Sequence, residues 1–204
     1  MKIFSVISIV VCFFVFGALN ASGQTRFIKG DHQCGAASVE DKPYLEAVKR
    51  GDARSIERFL QKGADPDLRD DCGIPVVTYA AAMLRPDILK IFVRSGSNVD
   101  AIDKIRHYPP LIWVIRWLDD AEVKARVYEA LEILIAAGAD VNIRGAHPES
   151  ALIEAVQAGD EKAAAILISA GADVNYTDAV ERTAYSYAAQ AGNEAAGEGV
   201  AGAE

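Results

Sequence analysis

The side chains with the richest chemistry in this sequence are few and scattered. Its three histidines are His32, His107 and His147. No His-x3-His, Cys-x2-Cys or clustered-carboxylate spacing for a metal ion occurs, and glycine-rich phosphate loops and Gly-x-Ser-x-Gly nucleophile motifs are absent. The pairs Asp70-Asp71 and Asp119-Asp120 are adjacent residues that do not share a helix face, so we expect turns or helix caps there rather than acid–base catalysis. The sequence therefore predicts no catalytic centre, no cofactor and no metal site.

The segment 1–23 has the pattern of a secretory signal peptide. Lys2 is its only charged side chain, an apolar run extends from Ile3 to Leu19, and the small residues 21–23 follow it. A retained membrane anchor is the alternative, because an apolar run of this length approaches the minimum for spanning a bilayer. With cleavage, we expect a periplasmic or secreted protein that no longer contacts the membrane.

Cleavage would leave two cysteines, Cys34 and Cys72, in an oxidising compartment. An even number of thiols in such a place favours a disulfide bridge. Closing this loop of about 38 residues would contribute about 4 kcal/mol in the chain-entropy description. Two free thiols are the alternative, since the pairing rests on the compartment rather than on geometry.

The remaining sequence repeats itself. A glycine followed by an acidic or amide pattern recurs at 63–67, 96–100, 138–142 and 171–175, with equal spacing within the first and the last pair and a wider gap between the pairs. The positions three, four and seven residues before each glycine are apolar, which places them on one stripe of a helix. Glycine suits the left-handed position that ends a helix, and Asp or Asn beyond it favours a tight turn.

This repeat resembles the ankyrin repeat, whose period is about 33 residues. The pentapeptide Gly-Ala-Asp-Val-Asn stands at 138–142 and again one period later at 171–175. The resemblance implies an all-α solenoid of stacked helix-turn-helix units joined by short β-turn or hairpin loops, with about four full repeats and a partial C-terminal one. We therefore divide the chain into a signal peptide (1–23), an N-terminal strap (24–41), an ankyrin repeat domain (42–193) and a disordered Ala/Gly/Glu tail (194–204).

The third unit departs from the period. The interval from its first-helix anchor at Pro110 to Gly138 is longer than the matching interval of the other units, and the extra residues lie around Leu118 to Arg126. We expect a second helix about two turns longer than the others. The unit also contains both tryptophans, Trp113 and Trp117. The insertion either forms a binding face or buries Trp113 and Val127 as a local core.

The ankyrin resemblance implies that loop tips and the exposed ends of first helices contact a partner. By position, the tips are Ile74, Arg106, Tyr108, His147, Glu149 and Arg182, and the helix ends are Met83, Arg116, Trp117, Gln157 and Gln190. The third unit concentrates the residue types that dominate interface energetics, so we expect the main contact there, around an exposed tryptophan.

Composition and charge exclude some classes of function. The chain is 51% hydrophobic and carries a net charge of −8, which indicates a globular protein and argues against nucleic acid as a partner. The acidity favours a partner with a basic patch. We expect a non-enzymatic, exported adaptor, stabiliser or inhibitor that binds a protein and no small-molecule substrate. An immunity protein that neutralises a toxic enzyme, an enzyme and a structural envelope component are the alternatives.

Overall fold

The chain forms a stack of helix pairs, seen here in a computed structural model that describes residues 38–144 and 150–190. The helices are α1 (Lys42–Arg50) with α2 (Ala53–Gln61), α3 (Val76–Ala82) with α4 (Pro86–Arg94), α5 (Pro110–Ile115) with α6 (Lys124–Ala136), α7 (Ala151–Gln157) with α8 (Glu161–Ser169), and α9 (Ala184–Gln190). The β-structure of these two ranges is one isolated bridge between Arg69 and Pro75. The predicted all-α repeat fold, with four pairs and a partial fifth unit, is confirmed.

The helices lie in two layers. The first helices α1, α3, α5, α7 and α9 pack side by side in chain order, and the second helices α2, α4, α6 and α8 do the same behind them. Small side chains permit the close approach within the first layer: Ala47, Ala80, Ala155 and Ala188 are all at most 1% exposed. Each unit therefore buries its apolar stripes against its neighbours, as stacked repeats must.

The glycine that ends each second helix has a left-handed backbone. Gly63, Gly96, Gly138 and Gly171 have φ of 90°, 80°, 87° and 90°. A Cβ built at any of them would have no heavy atom within 4 Å. The backbone conformation, rather than lack of space, is therefore what favours glycine at these four positions.

Side chains at the turns join the first four units to one another. An acceptor oxygen in one unit receives a backbone N–H of the following unit: Asp67 from Asn98 at 2.7 Å, Asp100 from Asp140 at 3.1 Å, and Asn142 from Asp173 at 2.8 Å. These bonds connect the turns that follow the second helices, so they fix the spacing of the stack on that side.

The third unit differs from its predicted form. Helix α6 has 13 residues where α2, α4 and α8 have nine, so it is longer by about one turn, and the prediction of two turns was wrong. The other extra residues form a connection of turns in which Leu118 and Val123 are buried. Trp113 and Val127 are 2% and 0% exposed, which confirms the local-core alternative for these two side chains.

The additional turn of α6 is attached to the fourth unit through Asp160. This aspartate caps α8 by accepting from Ala163 N, and it also accepts from Lys124 Nζ at 2.7 Å and Tyr128 Oη at 3.0 Å. Burial raises the pKa of the Asp160 carboxyl, but the bonds from Lys124, Ala163 and Tyr128 outweigh it, so the net pKa is lowered. The ionised carboxylate thus holds the third and fourth units together.

Some predictions fall outside the described residues. They include the signal peptide at 1–23, most of the strap, Cys34 and the tail at 194–204. Among the helices of residues 38–144 and 150–190, none combines the length and apolar character needed to cross a bilayer.

Candidate functional site

The loop before α5 is built around one buried aspartate. Asp103 is 1% exposed, and its Oδ1 accepts from the backbone N–H of Ile105 at 2.9 Å and of Arg106 at 2.6 Å. Its Oδ2 accepts from Tyr108 N and from Trp113 Nε1, both at 3.0 Å. A single carboxylate therefore folds the loop and attaches it to the helix that follows.

The same arrangement occurs in two other units. Asp70 accepts from Ile74 N at 2.8 Å and from Tyr79 Oη at 2.6 Å. Asp178 accepts from Tyr187 Oη at 2.7 Å. Each carboxylate thus binds both its own loop and an aromatic side chain of the following first helix. Sequence reasoning missed this role, although Asp lies seven residues after the helix-ending glycine in all three units.

Two arginines lie against the aromatic rings of the third unit. The Tyr108 and Trp113 rings meet edge to face, with centroids 5.6 Å apart and planes at 77°. The Arg106 guanidinium lies 5.9 Å from the Trp113 centroid, and that of Arg116 lies 5.4 Å from the Tyr108 centroid. We call Arg106, Tyr108, Trp113 and Arg116 the Arg–aromatic cluster. Burial raises the pKa of Tyr108, so its ring stays neutral beside these cations.

The cluster reaches solvent through its arginines. The Arg116 side chain is 44% exposed, and its Nη1 lies 3.9 Å from Glu154 Oε2 on α7. Arg106 is half-buried, whereas Tyr108 is 3% and Trp113 2% exposed. The arrangement is thus a pair of accessible guanidinium groups supported from beneath by buried rings.

The structure brings three predicted contact residues together and corrects the expected exposure of others. Arg106, Tyr108 and Arg116 are neighbours, as the concentration of contact types in the third unit predicted. Trp117 is 4% exposed and donates from Nε1 to Ala82 O at 3.1 Å, so the expectation of an exposed tryptophan was wrong. Helix α5 ends at Ile115, and the following turn directs Trp117 toward the second unit.

The remaining predicted contact residues do not join this cluster. Tyr108 contributes mainly a buried ring, and Ile74 is 2% exposed because the turn around Asp70 holds it in the core, so neither is the exposed tip that was expected. The others that the structure describes lie elsewhere along the stack: Met83 is half-buried, and Gln157, Arg182 and Gln190 are exposed. His147 and Glu149 lie outside the described residues.

One group of potential metal ligands is explained by turn geometry. Ligand atoms of Asp70, Asp71 and Cys72 lie within 4.8 Å of one another. Both oxygens of Asp70, however, already accept hydrogen bonds: Oδ1 from the Cys72 and Ile74 amides, and Oδ2 from Tyr79 Oη. The closeness of the three residues thus follows from the turn that Asp70 organises.

Comparison with known proteins identifies the class. Family models for ankyrin repeats match residues 44–93 and 121–198, well over half of the chain. The chain therefore belongs to the ankyrin repeat family. Stacked repeats of this kind present extended binding surfaces, and the family generally acts by binding proteins rather than by catalysis.

The similar curated proteins are diverse. An ankyrin repeat-containing protein of Treponema pallidum is 28% identical over 59% of this chain and 38% of its own length. Human ankyrin repeat and SOCS box protein 6 is 31% identical over 57% of this chain and 26% of its own length. Palmitoyltransferase Hip14 of Drosophila melanogaster is 28% identical over 50% of this chain and 15% of its own length. This chain matches less than two fifths of the length of each of these relatives.

Proposed function

We propose that the chain is an exported protein-binding module that acts as an adaptor, stabiliser or inhibitor of a protein partner in the periplasm or outside the cell. The observation that carries the binding site is the Arg–aromatic cluster, displayed on a stack in which three of the loops are fixed by a buried carboxylate. Export is supported by the signal-peptide pattern of residues 1–23.

The cluster suits partner binding because buried rings support its two arginines. The Trp113 and Tyr108 rings lie within cation–π distance of Arg106 and Arg116, which favours the present positions of both side chains before any partner arrives. Binding then loses less side-chain entropy than it would with unsupported arginines. Arginine and aromatic residues are also the types that dominate interface energetics.

A bridge between Cys34 and Cys72 belongs to the same proposal. It is supported by Cys72, whose sulfur is disulfide-bonded. Cys12 falls within the segment that signal cleavage would remove, which leaves Cys34 as the pairing cysteine. The bridge would connect the N-terminal strap to the turn of the second unit.

The export step is tested by expressing the full chain with a C-terminal tag in its native cells. We expect the tagged protein in the extracytoplasmic fraction, with an N-terminus near Gln24 by mass spectrometry. A chain that retains Met1 and fractionates with the cytosol would contradict export.

The binding site is tested by affinity capture from the same fraction. The variant Arg106→Ala/Arg116→Ala removes both cluster cations, and Arg58→Ala/Arg126→Ala removes two exposed arginines of the second helices as a charge-matched control. We expect one stoichiometric partner that wild type and control retain and the cluster variant loses. Equal retention by all three would place the contact elsewhere, and no partner from any of them would contradict the binding role.

A further inference from the structure

Positive charge is concentrated where the chain as a whole is acidic. The net charge is −8, yet residues 101–118 contain the three cations Lys104, Arg106 and Arg116 and one carboxylate, Asp103. That carboxylate is buried and accepts the four hydrogen bonds described above, so solvent meets mainly the cations. The exposed side chains of this stretch, which Asp100, Asp119 and Asp120 flank, are therefore mainly cationic, in contrast to the net charge on which the expectation of a basic partner was based.

Two cations of the second layer are neutralised by carboxylates, whereas Arg106 is not. Lys90 pairs with Glu129 at 2.6 Å, and Lys124 pairs with Asp160 at 2.7 Å. Within residues 38–144 and 150–190, no carboxylate forms an ion pair with Arg106, whose guanidinium faces the Trp113 ring. A guanidinium that lies against a ring rather than a carboxylate can use its N–H donors to bind a carboxylate bidentately.

The fourth unit places a carboxylate beside the cluster. Glu154 is the fourth residue of α7, the position that Tyr79, Trp113 and Tyr187 occupy in α3, α5 and α9. Its side chain is 12% exposed, and its separation of 3.9 Å from Arg116 Nη1 is too long for a direct hydrogen bond. A carboxylate thus stands where the second, third and fifth units have an aromatic ring, at the outer limit of an ion pair with Arg116.

We propose that the Arg–aromatic cluster binds an acidic segment of the partner protein, and that Glu154 is a resident carboxylate which the partner's Asp or Glu side chains displace from Arg116. This inference rests on the proposed function, because it names the chemistry of the partner at that surface. Charge complementarity supports an acidic occupant: Arg106 and Arg116 supply paired donors, and Lys104 extends the positive surface along the same loop.

The partner chemistry is tested by panning a phage-displayed library of random peptides against the immobilised full chain. We expect the enriched peptides to be richer in Asp and Glu than the input library. We also expect the Arg58→Ala/Arg126→Ala control to retain them and the Arg106→Ala/Arg116→Ala variant to lose them. Urea unfolding of both variants checks that the stack remains folded.

The other possible outcomes of the panning experiment each contradict a specific part of the proposal. Neutral or basic peptides that the cluster variant loses would overturn the acidic segment and leave the proposed surface standing. Acidic peptides that the cluster variant retains would show that the surface itself is wrong. Absence of enrichment over empty beads would overturn the acidic-segment proposal, while the capture experiment above would still decide on partner binding.

The role of Glu154 is tested by two substitutions that should change peptide affinity in opposite directions. For the best enriched peptide, we expect Arg116→Ala to weaken the affinity about tenfold, because a charge-assisted bidentate pair is lost. We expect Glu154→Gln to strengthen it about threefold or more, because the competing carboxylate is neutralised without a change of shape. Unchanged or weaker binding by Glu154→Gln, measured by fluorescence anisotropy, would overturn the displacement step.

Discussion

Replacement of Asp103 by alanine tests whether one carboxylate organises the loop of the candidate site. The change removes the acceptor for four donors at once, two on each carboxylate oxygen. Ile105 is 36% exposed, so the amides of Ile105 and Arg106 can turn to water. Tyr108 N and Trp113 Nε1 are buried and have no such substitute.

The expected loss follows from those two buried donors. An unsatisfied buried donor costs about 1–3 kcal/mol, so Asp103→Ala should lower the free energy of unfolding by about 4 kcal/mol. Asp103→Asn keeps one acceptor oxygen and should lose about half as much. Asp65→Ala is the matched control, because the exposed Asp65 accepts one bond, from Asp67 N, and should cost less than about 1 kcal/mol.

Urea unfolding measures the difference. Far-ultraviolet circular dichroism reports on the whole stack, whereas tryptophan fluorescence reports on the third unit, since both tryptophans, Trp113 and Trp117, lie there. We expect the fluorescence transition of Asp103→Ala to shift to lower urea at least as far as the dichroism transition. Surface substitutions usually change the free energy of unfolding by no more than about 0.5 kcal/mol. If Asp103→Ala destabilises the chain by an amount within that margin of the Asp65→Ala control, the reasoning is refuted.

Three further expectations concern stability. Lys124→Met leaves the buried Asp160 carboxylate without its cation and should cost about 2–3 kcal/mol by urea unfolding. The pKa of Asp160 is lowered in the folded chain, so the stability that its carboxylate contributes is present above the unfolded pKa of about 3.9 and is lost as the pH falls through the lower folded pKa. Asp160→Asn should therefore flatten the acid-induced decline in stability below about pH 4. Gly138→Ala should cost about 1–2 kcal/mol in thermal unfolding, since φ is 87° and a Cβ meets no neighbour.

Much of the fold could be predicted because its signals are local. The left-handed glycines and the apolar positions before them lie within one helix and its turn, and the period repeats them. The length of α6 could not be read in the same way. Leu118 and Val123 are buried although they lie in turns, and apolar periodicity does not separate a buried turn from one more turn of helix.

The sequence predicted which repeat unit contains the candidate site, but it did not predict the orientation of each side chain. Arg106 and Arg116 were named because their positions in the repeat are fixed, whereas the direction of Trp117 depends on α5 ending at Ile115. Trp113 belongs to the cluster, yet it was not among the predicted contact residues, and its burial was one of two alternatives. The seven-residue spacing of Asp103 from Gly96 was a usable signal, since Asp70 and Asp178 share it relative to their own glycines.

The attachments of the third unit have a consequence for how such a chain can change in length. Trp117 reaches back to the carbonyl of Ala82, while Lys124 and Tyr128 reach forward to Asp160. Repeat arrays shorten or grow by deletion or duplication of whole units, which requires that any unit fit against any other. A deletion of the third unit would leave Asp160 buried without its lysine, and a duplication would place Trp117 against a unit not shaped for it. Gain or loss of repeats is therefore disfavoured at this joint, and the number of units on either side of it should be the more variable feature of related chains.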